Sequence, residues 1–399
     1  MSEEAHLAAL RAASVRLTRW LFDDALPLWT SVGIDPCSGA FVEAIMLEDG
    51  TASPKPHRCF VQSRQIYSLI EAARLGWKGD WRAFVKRALD WQLATFRLRD
   101  GTFAHLADAQ GALLGARFDL YDQPFVLFAL AHVAQSIPER RKTCEATANA
   151  LLGGLRRSYA HPELGFQESI LATEPLRANP HMHLLEAALA WEDAQGGPQW
   201  NALADELMDL AMTRLIDARG GRLHEFFDSA WVPLADDRGR QIEPGHQFEW
   251  AWLAHRWASR RSRSDAVQVA RRLFDIGATS GICLWRKVVM LEINDDNSLR
   301  KPLARLWGQT EWLKAALALA SDAKNNERIH FLSSALAAVR AIEMFLSNAP
   351  RGFWRDKLDE RGVFVNEPAP ASSLYHLVCA IAELAHFCAS DSCIDQNLL

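Results

Sequence analysis

Six prolines, at positions 56, 124, 180, 244, 302 and 370, stand 56 to 68 residues apart in a chain of 399 residues. Each marks the start of a long segment with helical periodicity, and proline is best tolerated just before a helix or in its first turn. The recurrence constrains the fold strongly, because a repeat of this length holds one pair of helices. The helices are expected over 61–73 with 81–96, 124–136 with 139–158, 180–195 with 198–218, 245–260 with 264–278, and 303–320 with 325–347. A last helix over 372–389 takes the N-terminal segment, 4–29, as its partner. In the first of these, Val61, Gln65, Leu69 and Ala72 form one stripe. Gly-rich aromatic links at 100–103, 164–166, 220–223 and 351–354 read as turns or short β-hairpins. The class is therefore all-α, with about twelve helices in six hairpins.

Six hairpins of similar length can close into a ring, with six inner helices surrounded by six outer ones, or they can stack as an open solenoid. The residues near the prolines favour the ring. Polar or aromatic residues accompany each helix start: Arg64; Tyr121 and Asp122; Asn179, His183 and Glu186; His246 and Glu249; Trp307 and Glu311; His376. In a ring these sets converge on one funnel, whereas a solenoid strings them along a surface. No long linker interrupts the chain, so residues 1–399 are expected to form a single domain.

The densest of these sets is Pro244-Gly245-His246-Gln247-Phe248-Glu249-Trp250. His246 and Glu249 are three apart and share a helix face. His183, His246 and His376 occupy matching places in the repeat, and an imidazole can take or give a proton near neutral pH. The positive end of a helix favours the neutral, basic form of a ring placed there. His181 points about 200° away from His183 around the helix, which suits a structural role. Arg64 offers a rigid fork for a substrate oxygen, and Tyr121, Trp250 and Trp307 offer flat faces. Glu249 and Glu311 are also a candidate acid pair for glycoside cleavage, a chemistry that leaves the three histidines unexplained.

Other chemistries lack their signatures. The HxxE pairs at 183–186 and 246–249 reverse the Glu-x-x-His order of di-iron bundles, and no HExxH or cysteine cluster is present, so no metal is expected. The chain has no GxGxxG, P-loop or GxSxG motif, so no cofactor is expected either. A net charge of −5 offers no basic field for nucleic acid or lipid. No obvious basic cluster marks a phosphate site, although Arg286, Lys287, Arg300, Lys301 and Arg305 leave a phosphorylated substrate open. The strongly apolar run near 124–137 is shorter than the roughly 20 residues that cross a bilayer, and the acidic N-terminus has no leader pattern. Seven cysteines without a CxxC pair suit reduced thiols and a cytoplasmic location.

Several segments together resemble a known family. These are Gln62-Ser63-Arg64-Gln65, Tyr121-Asp122, Asn179 to Glu186, Pro244 to Trp250, Trp307-Gly308-Gln309-Thr310-Glu311 and Ser373-Leu374-Tyr375-His376-Leu377. They are similar to the N-acylglucosamine 2-epimerase superfamily of (α/α)6 barrels, and within it to the mannose isomerase branch. The branch is preferred because Cys379 and Ala380 stand where epimerases carry an arginine. The resemblance implies a metal-independent interconversion of D-mannose and D-fructose, and of lyxose-type sugars, through a cis-enediol, with a 2-epimerase as the alternative. It implies His246 and His376 as the proton-handling pair, with His183 aiding ring opening or orienting the sugar. Arg64, Tyr121, Asn179, Glu249, Trp307 and Glu311 would bind it. The expected partner is a monosaccharide, and the chain is expected to be a monomer or homodimer.

Overall fold

The helices divide into two kinds by how much of their surface is covered. Helices α3 (Cys59–Arg74), α5 (Asp122–Ser136), α7 (Ala178–Asp193), α9 (Pro244–Arg261) and α11 (Leu306–Asp322) are buried almost all round. Their hairpin partners are α4 (Trp81–Phe96), α6 (Arg141–Ser158), α8 (Pro198–Leu210), α10 (Ser264–Ser280) and α12 (Asn325–Ser347). These partners bury one stripe each, such as Ala266, Ala270, Leu273, Phe274 and Gly277 on α10. An apolar stripe seats a helix against a core from one side, and an apolar surface all round needs neighbours on every side. The first kind therefore forms an inner ring and the second an outer one. The computed structural model describes residues 2–115 and 117–396, with side chains as far as Asp391.

The ring closes. Each inner helix packs against the next, and α13 (Ala371–Gln396) packs against both α11 and α3. The N-terminal α1 (Glu3–Trp20) lies against α12 and α13, completing the sixth pair as expected from sequence. It does not run unbroken to residue 29: a wide turn at Leu21–Ala25 separates it from α2 (Leu26–Ser31). The repeating prolines drift across the helix starts, from Pro302 ahead of α11 to Pro124 and Pro180 at the third residue of α5 and α7, all tolerated positions.

Short strands tie most of the units together. The residues before an inner helix pair with the loop that follows its outer partner: His57–Arg58 with Leu106–Ala107, Leu176–Arg177 with Phe226–Phe227, and Ala304–Arg305 with Lys357–Leu358. In the sixth unit Ala369–Pro370 pairs with Ala44–Ile45, which joins the two ends of the chain. The Gly-rich links, read from sequence as turns or short β-hairpins, are closed by antiparallel bridges such as Arg97 with Phe103 and Ile216 with Leu223.

A second fastening recurs from helix to loop. The side-chain amide of Gln62 accepts from the Phe41 N–H and donates to its carbonyl; Gln123 does the same to Phe103, Gln247 to Leu223 and Gln309 to Val289. In the third unit His181 replaces the glutamine and accepts from the Phe166 N–H through Nε2 at 2.9 Å, which fits the structural role expected for it. Buried backbone groups without partners are costly, so these amides hold the loops in register on the inner ring.

Two helices exceed the apolar run singled out in the sequence. Within α12 and at Ala371–Asp391 of α13 the chain is long and apolar enough to cross a bilayer, yet 56% and 72% of those stretches is buried. Packing within the ring accounts for that apolarity. Cys37, Cys59, Cys144, Cys283 and Cys379 form no disulfide, and Cys393 lies outside the described side chains.

Candidate active site

The first turns of the inner helices meet at one end of the ring around a cavity of about 440 Å³. Arg64, Tyr121, Asn179, His183, His246, Glu249, Trp307 and His376 line it, so eight of the nine residues that the family resemblance gave catalytic or binding roles come together. Glu311 is the exception. It is fully buried, and its carboxylate is held by Lys314 Nζ at 2.6 Å on one oxygen and by His376 Nδ1 at 2.9 Å on the other. Helix α11 turns Glu311 toward the ring axis, behind His376, so it positions that ring and does not line the cavity.

Three histidines share one arrangement. His376 Nδ1 is hydrogen-bonded to Glu311, His183 Nδ1 to Glu186 at 3.2 Å and His246 Nδ1 to Glu225 at 2.9 Å. A carboxylate on Nδ1 fixes the ring and leaves Nε2 available. Their charges differ. Burial lowers His376 well below its usual value, and the positive charges of Arg64 and Lys314 act in the same direction. Burial brings His183 down to about 4, against the pull of Glu186. Burial opposes the charged form of His246 too, but the carboxylates of Glu225 and Glu243 outweigh it and carry the ring up to about 10. At neutral pH His376 and His183 are therefore neutral and His246 is an imidazolium. The sequence expectation of a neutral, basic His246 is corrected here: Glu225, on the loop before α9, dominates the helix end.

Trp307 packs close to both rings of opposite character, its centroid 5.1 Å from that of His246 and 6.0 Å from that of His376. Gly245 makes this possible, since a Cβ there would come within 2.4 Å of the indole. Arg64 has no carboxylate partner among the described residues. It donates to the Tyr121 hydroxyl at 2.9 Å and lies over Phe125, 4.2 Å from the ring centroid, and over Tyr375 at 4.9 Å, which holds its charge at the cavity wall. Below the cavity, Glu186, Glu249 and Glu311 share one buried cation, Lys314. Burial and the neighbouring Glu311 raise Glu249 well above the carboxylate range, so it faces the cavity as a neutral acid.

Two triads at the cavity bring ligand-type atoms within 4.8 Å of one another: His183, Glu186 and Glu249, and Glu225, Glu243 and His246. Either could hold a divalent cation. In the second, the Nδ1 proton of His246 occupies the nitrogen facing its carboxylates, so a metal would have to displace it.

Sequence reasoning missed Glu225, Arg58, Glu243 and Glu292, all on or beside loops. Of the basic residues it grouped, only Arg305 lines the cavity; Arg286 donates to the carbonyls of Asp359 and Pro302, and Arg300 pairs with Asp237. Cys379, used to choose between branches, lines a smaller cavity at the opposite end of the ring.

The family model for N-acylglucosamine 2-epimerase (GlcNAc 2-epimerase) matches residues 39–380. The chain belongs to this family. It is 46% identical over 370 residues to a mannose-6-phosphate isomerase of Rhizobium meliloti (strain 1021), covering 92% of this chain and 95% of that protein. Among solved structures, a cellobiose 2-epimerase from Bacillus thermoamylovorans B4167 superposes with a TM-score of 0.83 at 16% identity, over 94% of this chain and 99% of the other. A D-mannose isomerase superposes with a TM-score of 0.81 at 19% identity, over 96% and 98%. The fold is the (α/α)6 barrel of these N-acylglucosamine 2-epimerase relatives, and the chain is an isomerase.

Proposed function

We propose that the protein is an aldose–ketose isomerase of mannose-type sugars that works by histidine acid–base chemistry without a metal. The observation that carries this reading is the pair of imidazoles beside Trp307 in one cavity, one neutral and one charged. Neutral His376 removes the proton at C2 of the open-chain aldose through Nε2. The electrons move to the C1 oxygen, where the imidazolium of His246 and the guanidinium of Arg64 are placed to stabilise the charge of the enediol. Transfer of the O2 proton to O1, with return of the other proton to C1, gives the ketose. His183 and the neutral carboxyl of Glu249 lie together on the cavity wall, suited to opening the sugar ring. A 2-epimerase is the second reading, since His246 lines the same cavity as His376 and could return a proton to the opposite face of C2.

Product analysis by NMR in deuterated water, with exhaustively chelated protein, tests both readings. D-Mannose or its 6-phosphate should give the corresponding fructose with deuterium at C1, at the full unchelated rate. A glucose product without ketose would favour the epimerase, and loss of activity on chelation would overturn the metal-free reading.

A further inference from the structure

A second, smaller cavity of about 180 Å³ adjoins the first and shares Arg58, Arg305 and Ser372 with it. It lies over the start of α13, where the residues preceding α3 and α11 approach the seam between Ala44–Ile45 and Ala369–Pro370. Four cations surround it, Lys55, Arg58, Arg305 and Lys357, against three carboxylates, Glu43, Asp356 and Glu367.

The pairing of these charges leaves donors over. Glu43 takes the Nε and Nη2 side of Arg58, and Asp356 takes the same side of Arg305 at 3.0 and 2.9 Å. The Nη1 group of each has no partner among the described residues. Both carboxylates are buried, and both guanidiniums remain about one-third exposed. The carboxylates thus act as braces that hold the forks while their other edges face the cavity. Lys357 is paired with Glu367 at 2.7 Å, whereas Lys55 is exposed and has no ion-pair partner among the described residues. The Ser372 hydroxyl is likewise uncommitted, at the positive end of a long helix.

We infer that the annex formed by Lys55, Arg58, Arg305 and Ser372 is a subsite for a phosphate monoester at the far end of the sugar. The inference rests on the isomerase reading and names its substrate class as a hexose 6-phosphate. Two guanidinium edges, an ammonium and a hydroxyl line one small cavity, a donor set that suits the three terminal oxygens of a tetrahedral phosphoryl group better than a planar carboxylate. Arg305 precedes Trp307 by two residues, and Arg58 precedes Arg64 by six. A hexose with C1 and C2 between the imidazoles can therefore direct its C6 end toward the annex.

The test compares mannose and mannose 6-phosphate on the full chain, with Lys55→Glu and Arg305→Lys as variants; the second keeps a cation beside Asp356. Wild type should prefer the phosphorylated sugar by about tenfold or more in kcat/KM, and each variant should shrink that preference by about tenfold, in Lys55→Glu through KM with kcat retained. A wild-type preference for free mannose, or a ratio unmoved in both variants, would overturn the subsite. If neither sugar is turned over, the isomerase reading fails and calorimetry decides the subsite separately. Mannose 6-phosphate bound by wild type and about tenfold more weakly by Lys55→Glu sustains it; equal affinity or no binding ends it. Inorganic phosphate binding as tightly as the sugar phosphate would make free phosphate the ligand and end the substrate assignment.

Discussion

Three imidazoles with the same type of partner differ in charge because of what else their partners hold. The carboxylate of Glu311 is already neutralised by Lys314, so it orients His376 without charging it, whereas Glu225 and Glu243 have no cation comparable to Lys314 among the described residues and charge His246. If His376 is the base and His246 the acid, the rate should be flat through neutral pH. The acid limb belongs to His376 and falls below the usual 6.5, because its pKa is lowered; the basic limb belongs to His246, which loses its proton as pH rises through about 10. Glu225→Gln removes the first of the opposing charges and should move the basic limb of kcat toward neutrality, with the acid limb unchanged. Replacement of either His376 or His246 by alanine should cost about 10² or more in kcat under saturating sugar, while the circular dichroism spectrum stays native. The sequence locates both rings by their place in the repeat but misjudges His246, because a helix end contributes only about 0.3–1 kcal/mol and two nearby carboxylates, one of them buried, contribute more. Glu225 lies on a loop, where no periodicity marks it.

At the scale of helix and loop, the amides of Gln62, Gln123, Gln247 and Gln309 do a job that side chains rarely do so regularly: each closes both hydrogen bonds of one loop residue. Gln247→Leu strips the partners from the Leu223 N–H and carbonyl and should destabilise the protein by about 2–3 kcal/mol in denaturant unfolding. Because Leu223 precedes Glu225 by two residues, the same substitution should also shift the basic limb of the pH profile. Gln123→Leu should cost similar stability and leave that limb in place. The repeat is legible as six prolines, since helix starts tolerate them, and the inner helices follow from their apolar continuity. The glutamines escape notice because an amide within an apolar helix carries no sign of which loop it will meet. The four-residue spacing of Glu311 from Trp307 suggests a cavity residue; that spacing puts the two on one side of α11, but at different depths along the ring axis.

For the molecule as a whole, the sixth unit is assembled from both ends of the chain. Arg16 reaches Glu343 at 2.7 Å, Arg11 reaches Asp391 at 2.9 Å, and the Ala44–Ile45 strand closes on Ala369–Pro370. Deleting residues 2–31 would uncover the apolar faces of α12 and α13, so the truncated chain should aggregate on expression and show no cooperative unfolding transition. The same arrangement separates two events that are usually measured as one. His246 and His376 sit 130 positions apart in the chain and beside one indole in space. A chain with every helix formed but its ends unjoined has the parts of a catalyst in the wrong places. During refolding, helical signal should return first and turnover last, so enzymatic assay becomes a stopwatch for the moment the first and last segments meet.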